Sequence, residues 1–211
     1  MTLTLGDGVV LEPLGDGAVR FALPRAAEPR ATLEALRACV GIVDAVVCET
    51  HACVYFADDA PTTLATDLSK IVARLARGST QRAFPTRVHV VRVRYDGPDL
   101  ETLAAHANVM PRDVARLHAA REYDVRMIGF LAGFAYLREV DPKIAAPRRA
   151  SPRARVDACA VGIAGGYTGI YPFACPGGWN VVGTALDFVA FDAARGALFE
   201  LGDRVRFEIA T

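Results

Sequence analysis

Four arginines fall within eight residues, Arg148, Arg149, Arg153 and Arg155, in a stretch punctuated by Pro147 and Pro152. A guanidinium is a rigid fork of N–H donors that matches a carboxylate or phosphate edge, so such a cluster can grip an anion. A solvated basic loop is the other reading, and the residues alone leave both open. Downstream, residues 160–184 read AVGIAGGYTGIYPFACPGGWNVVGT, with seven glycines in twenty-five positions and the only tryptophan, Trp179. Interior glycines each cost a helix roughly 1 kcal/mol against alanine, so the run is not helical. Its apolar pieces at 161–164, 170–171 and 181–182 read as β-segments, and Pro176-Gly177-Gly178 reads as a turn. The run is either a barrel corner pinned by one aromatic or a ligand-facing loop. His118 sits four residues after Val114 on an apolar helix face, where it is either a satisfied core or capping histidine or a proton-transfer group. Cys175 has no neighbouring histidine in sequence to activate it as a nucleophile.

The elements that must position these groups follow from periodicity. Residues 9–11 and 18–21, split by Gly15-Asp16-Gly17, predict a hairpin. A helix carrying Leu33, Leu36 and Val40 on one face follows, with Gly41 ending it. Residues 43–47 and 53–56 predict paired strands. Pro61 opens a second helix with a Leu64, Leu68, Ile71 and Leu75 stripe, closed by Gly78. This order gives an α+β layer over residues 1–82, and the polar Gly78–Gln81 stretch is the boundary. Residues 87–95 predict a strand whose apolar residues switch faces around Val90-Val91, by a bulge or by two-sided burial. Short helices at 99–107 and 111–121 come next. Beyond Tyr123, glycine, proline and short apolar runs predict a mostly β second domain, residues 83–211, closed by a last strand at 204–209.

Composition narrows the function. Lys+Arg and Asp+Glu are 24 each, so the formal net charge is zero and nothing pulls the chain toward nucleic acid or a membrane surface. No apolar run reaches the roughly 18–20 residues of a membrane helix. The N-terminal segment lacks the pattern of a secretory signal. Five cysteines without a CxxC pair fit reduced thiols in a cytoplasm. His51, His89, His106 and His118 are far apart in sequence, and no spacing argues for a metal site.

Four motifs in register, GFLAGFAYL, PRRASPRARV, AVGIAGGYTGIYP and CPGGWNVVGT, resemble the family of B-type 5-oxoprolinase subunits, also called allophanate hydrolase subunit 1, which includes a bacterial sensor-kinase inhibitor. The resemblance is strong from Gly97-Pro98-Asp99-Leu100 to Phe207 and weak before about residue 85. It implies a small N-terminal α+β domain followed by a cyclophilin-like β-barrel. It implies a related partner of the C type (allophanate hydrolase subunit 2), a third subunit, and ATP-driven opening of 5-oxo-L-proline to glutamate. The equivalent domains of urea carboxylase form a biotin-dependent carboxyltransferase, and a regulatory role on a histidine kinase is a further alternative. The expected pocket is built by Gly133-Phe134, the arginine loop and Pro176-Gly177-Gly178-Trp179. In it Arg148, Arg149 and Arg153 hold carboxylate or phosphate, Tyr171 and Trp179 wall the pocket, and His118 orients substrate or transfers protons. Four positions depart from the family pattern. Ala132 replaces a proline, Cys159 falls in a segment that usually reads VPAGSV, Cys175 replaces a serine, and Thr184 stands where an arginine is usual. They remove hydroxyls and an anion donor from the expected site.

Overall fold

The computed structural model describes residues 3–4, 10–24, 27–57, 64–76 and 84–210. The chain divides into two compact units, Met1–Pro85 and Thr86–Thr211.

The first unit carries strands β1 (Leu3–Thr4), β2 (Val10–Pro13) and β3 (Ala18–Ala22), helix α1 (Pro29–Arg37), strands β4 (Ile42–Val47) and β5 (His51–Phe56), and helix α2 (Leu64–Ala76). Its antiparallel sheet runs β1-β2-β3-β5-β4. Helix α1 starts because Pro29 presets φ and the Glu28 carboxylate accepts from the Arg30 and Ala31 N–H groups at 3.0 and 2.6 Å. It ends at Arg37, so Val40 lies beyond the helix and is 80% exposed rather than on its apolar face. Leu36, Phe21, Val54 and Leu68 form the buried side. The expected helix limits at Pro61 and Gly78 and the Gly78–Gln81 boundary lie outside the described residues, as do the side chains of Leu64 and Leu75.

The second unit opens with β6 (Val88–Arg94), α3 (Leu100–Ala107) and α4 (Pro111–Ala119). Strands β7 (Glu122–Ile128), β8 (Ala135–Arg138), β9 (Arg153–Val156), β10 (Ala160–Ala164), β11 (Tyr167–Ile170), β12 (Cys175–Gly177) and β13 (Asn180–Ala185) follow. The short β14 (Phe191–Asp192) and β15 (Gly196–Ala197) precede β16 (Arg204–Ile209). Seven of these close a barrel in the order β10-β11-β8-β7-β16-β6-β13. All its pairings are antiparallel except β6 with β16, which run parallel from Val88↔Arg204 to Val93↔Ile209 without a register shift. The switch of faces expected at Val90-Val91 is therefore neither a bulge nor two-sided burial. Val91 and Val93 point into the core, while Val88 and Val90 are exposed valines kept in an ordinary alternating strand. One core joins Val93, Val125, Leu137, Val205 and Phe207 of the strands with Leu103 and Val114 of the helices. A second, smaller cluster gathers Phe134, Tyr171, Trp179 and Val181.

Two expectations for the glycine-rich run change. Pro176-Gly177 is part of strand β12, not a turn, and it pairs with β9, which carries Arg153 and Arg155 of the expected arginine loop. Gly177 is required by close approach and not by an unusual dihedral. A Cβ there would lie 2.5 Å from the Tyr171 hydroxyl.

Candidate functional site

Asp99, the residue before α3, is the pivot of the arginine region. Its carboxylate is 2% exposed. Oδ1 accepts from Arg149 Nη1 at 2.5 Å and Arg153 Nη2 at 2.7 Å, while Oδ2 accepts from Arg153 Nη1 at 2.6 Å and the Val181 N–H at 2.8 Å. Burial pushes this carboxyl up, but the Arg153 hydrogen bonds, the Val181 N–H and the two guanidinium charges outweigh it and hold the pKa below the usual carboxylate range. The backbone positions it: the Gly97 N–H donates to Val182 O and the Asp99 N–H to Val181 O, pinning residues 97–99 against β13.

The sequence assigns three arginines to one anion, and the structure separates them. Arg149 and Arg153 spend their donors on Asp99. Arg148 is exposed and has no carboxylate partner among the described residues. Arg148 and Arg149 line a cleft of about 410 Å³ between α3 and residues 146–151, with Thr102 and His106 on its helix side and Asn180 on its β13 side. Arg153 instead lines a second cleft of about 360 Å³ with Asp96, Arg155, Asp157 and Thr184. The Arg149 N–H donates to Gly178 O at 2.8 Å, which ties the basic segment to the PGGW segment.

The aromatic members sit behind these clefts. Phe134, Tyr171 and Trp179 are buried, and the Phe134 ring meets Tyr171 and Trp179 edge-on with centroids 5.4 and 5.3 Å apart. Tyr171 and Trp179 thus do not wall either cleft; they are the core on which the cleft-bearing segments rest. Gly133 takes φ +81°, which lets the 129–134 loop press against Ala190 and Phe191.

His118 is fully buried. Thr168 Oγ1 donates to Gly162 O at 2.9 Å, so it accepts from His118 Nε2–H at 2.9 Å, and Nδ1 is left to accept from the Tyr95 hydroxyl at 2.7 Å. The ring stacks on Phe207 with centroids 4.5 Å apart. Burial pushes its pKa down to about 3. Both nitrogens are occupied and the ring stays neutral, which is the arrangement of a core histidine.

The departures have definite places. Cys159 stands at φ +63°, a backbone position that favours glycine. Burial pushes the thiols of Cys159 and Cys175 up, away from the thiolate. Thr184 Oγ1 donates to Asp96 Oδ1 at 3.3 Å. Asp99 and Asn180 were not singled out from the sequence, although an arginine cluster inside a folded unit signals a buried counter-ion. Among the described residues, no group of three or more His, Cys, Asp or Glu could hold a metal ion, and no helix is long and apolar enough to cross a membrane.

Residues 4–199 match the family described as carboxyltransferase domain, subdomain C and D. Over 114 residues the chain is 46% identical to the B-type subunit of 5-oxoprolinase from Escherichia coli O157:H7, covering 53% of this chain and 51% of that protein. The chain spans about half the length of the curated relatives it matches. The crystal structure of TTHA0988 superimposes with a TM-score of 0.76 at 36% identity, covering 92% of this chain and 40% of that one. Kluyveromyces lactis urea carboxylase superimposes with a TM-score of 0.74 at 17% identity, covering 96% of this chain and 22% of that one, a likeness of fold alone.

Proposed function

The chain belongs to the carboxyltransferase domain, subdomain C and D, family, and from that premise we propose that it is a subunit of a cytoplasmic 5-oxoprolinase-type amide hydrolase. The assembly opens 5-oxo-L-proline to L-glutamate with ATP, and this chain works in it beside a related partner of the allophanate hydrolase subunit 2 type and a third subunit. The observation that carries the reading is a cationic cleft, with an unpaired Arg148 and an Asp99-clamped Arg149, in a chain this similar to proteins named as B-type subunits of 5-oxoprolinase. In this reading Arg148 and Arg149 hold the substrate anion. Arg153 acts through Asp99, fixing the carboxylate that fixes Arg149. Gly133, Phe134, Tyr171, Pro176, Gly177, Gly178 and Trp179 set the shape of the supporting wall. His118 is a positioning residue that holds β11 through Thr168 rather than a group that meets substrate.

The test is ATP-dependent glutamate formation from 5-oxo-L-proline by the co-expressed subunits. Turnover that disappears when this chain is omitted is the expected result, and no turnover with all subunits present removes the reading. One observation favours a second reading, a regulatory protein docking on a sensor histidine kinase. Thr184, where an arginine is usual, spends its hydroxyl on Asp96 and offers no anion donor. Kinase autophosphorylation unchanged at saturating protein removes that alternative.

A further inference from the structure

Three phenylalanines that reach solvent, Phe130, Phe173 and Phe191, lie outside the lining of both clefts. Phe130 stands at φ +75°, a region in which a bulky side chain strains the backbone. Its loop is closed by the Gly129 N–H donating to Phe134 O at 3.1 Å and the Phe134 N–H donating to Leu131 O at 3.0 Å. The Phe130 ring meets the buried Phe134 edge-on with centroids 5.6 Å apart, yet Phe130 is 61% exposed. The loop therefore holds an aromatic ring in water on a strained backbone and gains little burial in return.

The same loop joins the other two rings. A Cβ on Gly133 would lie 2.8 Å from Phe191 Cβ, and the Phe191 ring lies 6.2 Å, centroid to centroid, from Phe173, which is 45% exposed. Phe191 opens β14, which meets β15 through only two residue pairs, and among the described residues this ribbon joins no other sheet. A two-stranded ribbon by itself is marginal in water. Residues 127–137 and 158–186, which supply Phe130 and Phe173, contain no charged residue. An uncharged, aromatic-rich exposed surface has the composition of the centre of a protein interface.

The charges at its edge select the occupant. Arg195, between β14 and β15, is exposed and its side chain has no partner among the described residues. The carboxylates nearby in sequence are engaged: Asp187 with Arg92, and Asp192 with the Ala194 and Arg195 N–H groups at 2.9 and 3.0 Å. The free charge is thus positive, and a second copy of this surface offers no unengaged carboxylate to meet it. An anionic lipid surface is read by clusters of about 4–8 cations, which one arginine does not supply. We infer that the Phe130, Phe173 and Phe191 surface docks a different protein subunit, one that presents an apolar face edged by a carboxylate for Arg195. The inference rests on the 5-oxoprolinase-type reading only for the partner used to test it, the related subunit of the allophanate hydrolase subunit 2 type.

The experiment measures, by calorimetry, binding of the purified full chain to that related subunit. Phe130→Gly is the cleanest variant, because glycine suits φ +75° and the ring is mostly in solvent. It should keep the parent's Trp179 fluorescence and weaken binding by about tenfold or more, as should Phe173→Ala. Arg195→Glu should weaken binding more than Arg195→Ala, because it sets like charges against each other. Val90→Ser, which removes an exposed valine from the outer side of β6, should bind as the parent does. No binding by the parent chain, normal binding by Phe130→Gly and Phe173→Ala, or an equal loss with Val90→Ser overturns the inference. So does a dimer of the chain alone in sedimentation that Phe130→Gly dissolves, or Phe130-dependent binding to phosphatidylserine–phosphatidylcholine vesicles. Glutamate formation by a complex that assembles normally with both phenylalanine variants sinks the docking surface and spares the function. Phenylalanine-dependent assembly of a complete complex that forms no glutamate does the reverse.

Discussion

At the residue scale, protonation is decided by what each group touches, not by which residue type it is. Asp99 and His118 are both buried, yet one is charged and the other is neutral. Asp99 keeps its charge because two guanidiniums and a backbone N–H face it. His118 has a hydroxyl on each nitrogen and no charge beside it, so burial alone sets its protonation. Its folded pKa of about 3 lies below the roughly 6.5 of an unfolded histidine, so the unfolded chain binds the extra proton. The stability it supports is complete above about pH 6.5 and falls by roughly 1.4 kcal/mol per pH unit as pH drops toward the folded value. Replacing it by glutamine removes this dependence. His118→Gln should be less stable than the parent at pH 7, and by pH 4.5 that gap should narrow by about 2–3 kcal/mol in urea denaturation. A constant gap would mean that the folded protein protonates His118, and would return it to the list of proton-transfer groups.

At the element scale, the strands and helices were legible where the pattern was local. The last strand, Arg204–Ile209, has the limits read from its alternation, and the two helices before β7 lie where their apolar spacing puts them. What was not legible depends on partners distant in sequence. Pro176-Gly177 carries turn residues, yet it forms a strand because β9 offers it a ladder and Tyr171 fills the space a side chain would need. The arginines were legible as a cluster, but their division between two clefts depends on Asp99, some fifty residues upstream, and on β13 behind it. Gly97 is the hinge pin of that arrangement. A Cβ there would lie 2.4 Å from Val181 O and Val182 C and 2.5 Å from Gly183 N, all backbone atoms of β13 that cannot rotate away. Gly97→Ala should therefore cost about 1–3 kcal/mol and loosen Asp99 two residues on. Gly166→Ala, with nothing within 4 Å of the added methyl, is the control and should be close to neutral. Equal melting temperatures for the two variants would remove Gly97 from this role.

At the scale of the whole molecule, the second unit contains everything its barrel needs. Its first strand, β6, and its last, β16, lie side by side along six paired residues, so the unit zips its own ends together and leaves no open edge in the barrel. The core, the Asp99 ion pairs and both clefts are built from residues after Thr86. Residues 86–211 alone are therefore expected to fold. Trp179, buried and the only tryptophan, reports on this directly through near-UV circular dichroism and fluorescence. The fragment should give a single cooperative urea transition with a native-like tryptophan signal. Ending the fragment before β16 removes the strand that joins β6 to β7, exposes two edges and uncovers Val93 and Val125, so that shorter piece should lose the transition. Because β6 and β16 are separated by most of the unit, closure requires a large loop to be ordered first, and refolding should be slow for a domain of this size. A fragment 86–211 without a cooperative transition would show that the barrel depends on residues before Thr86, and the clefts would then have to be studied only in the intact chain.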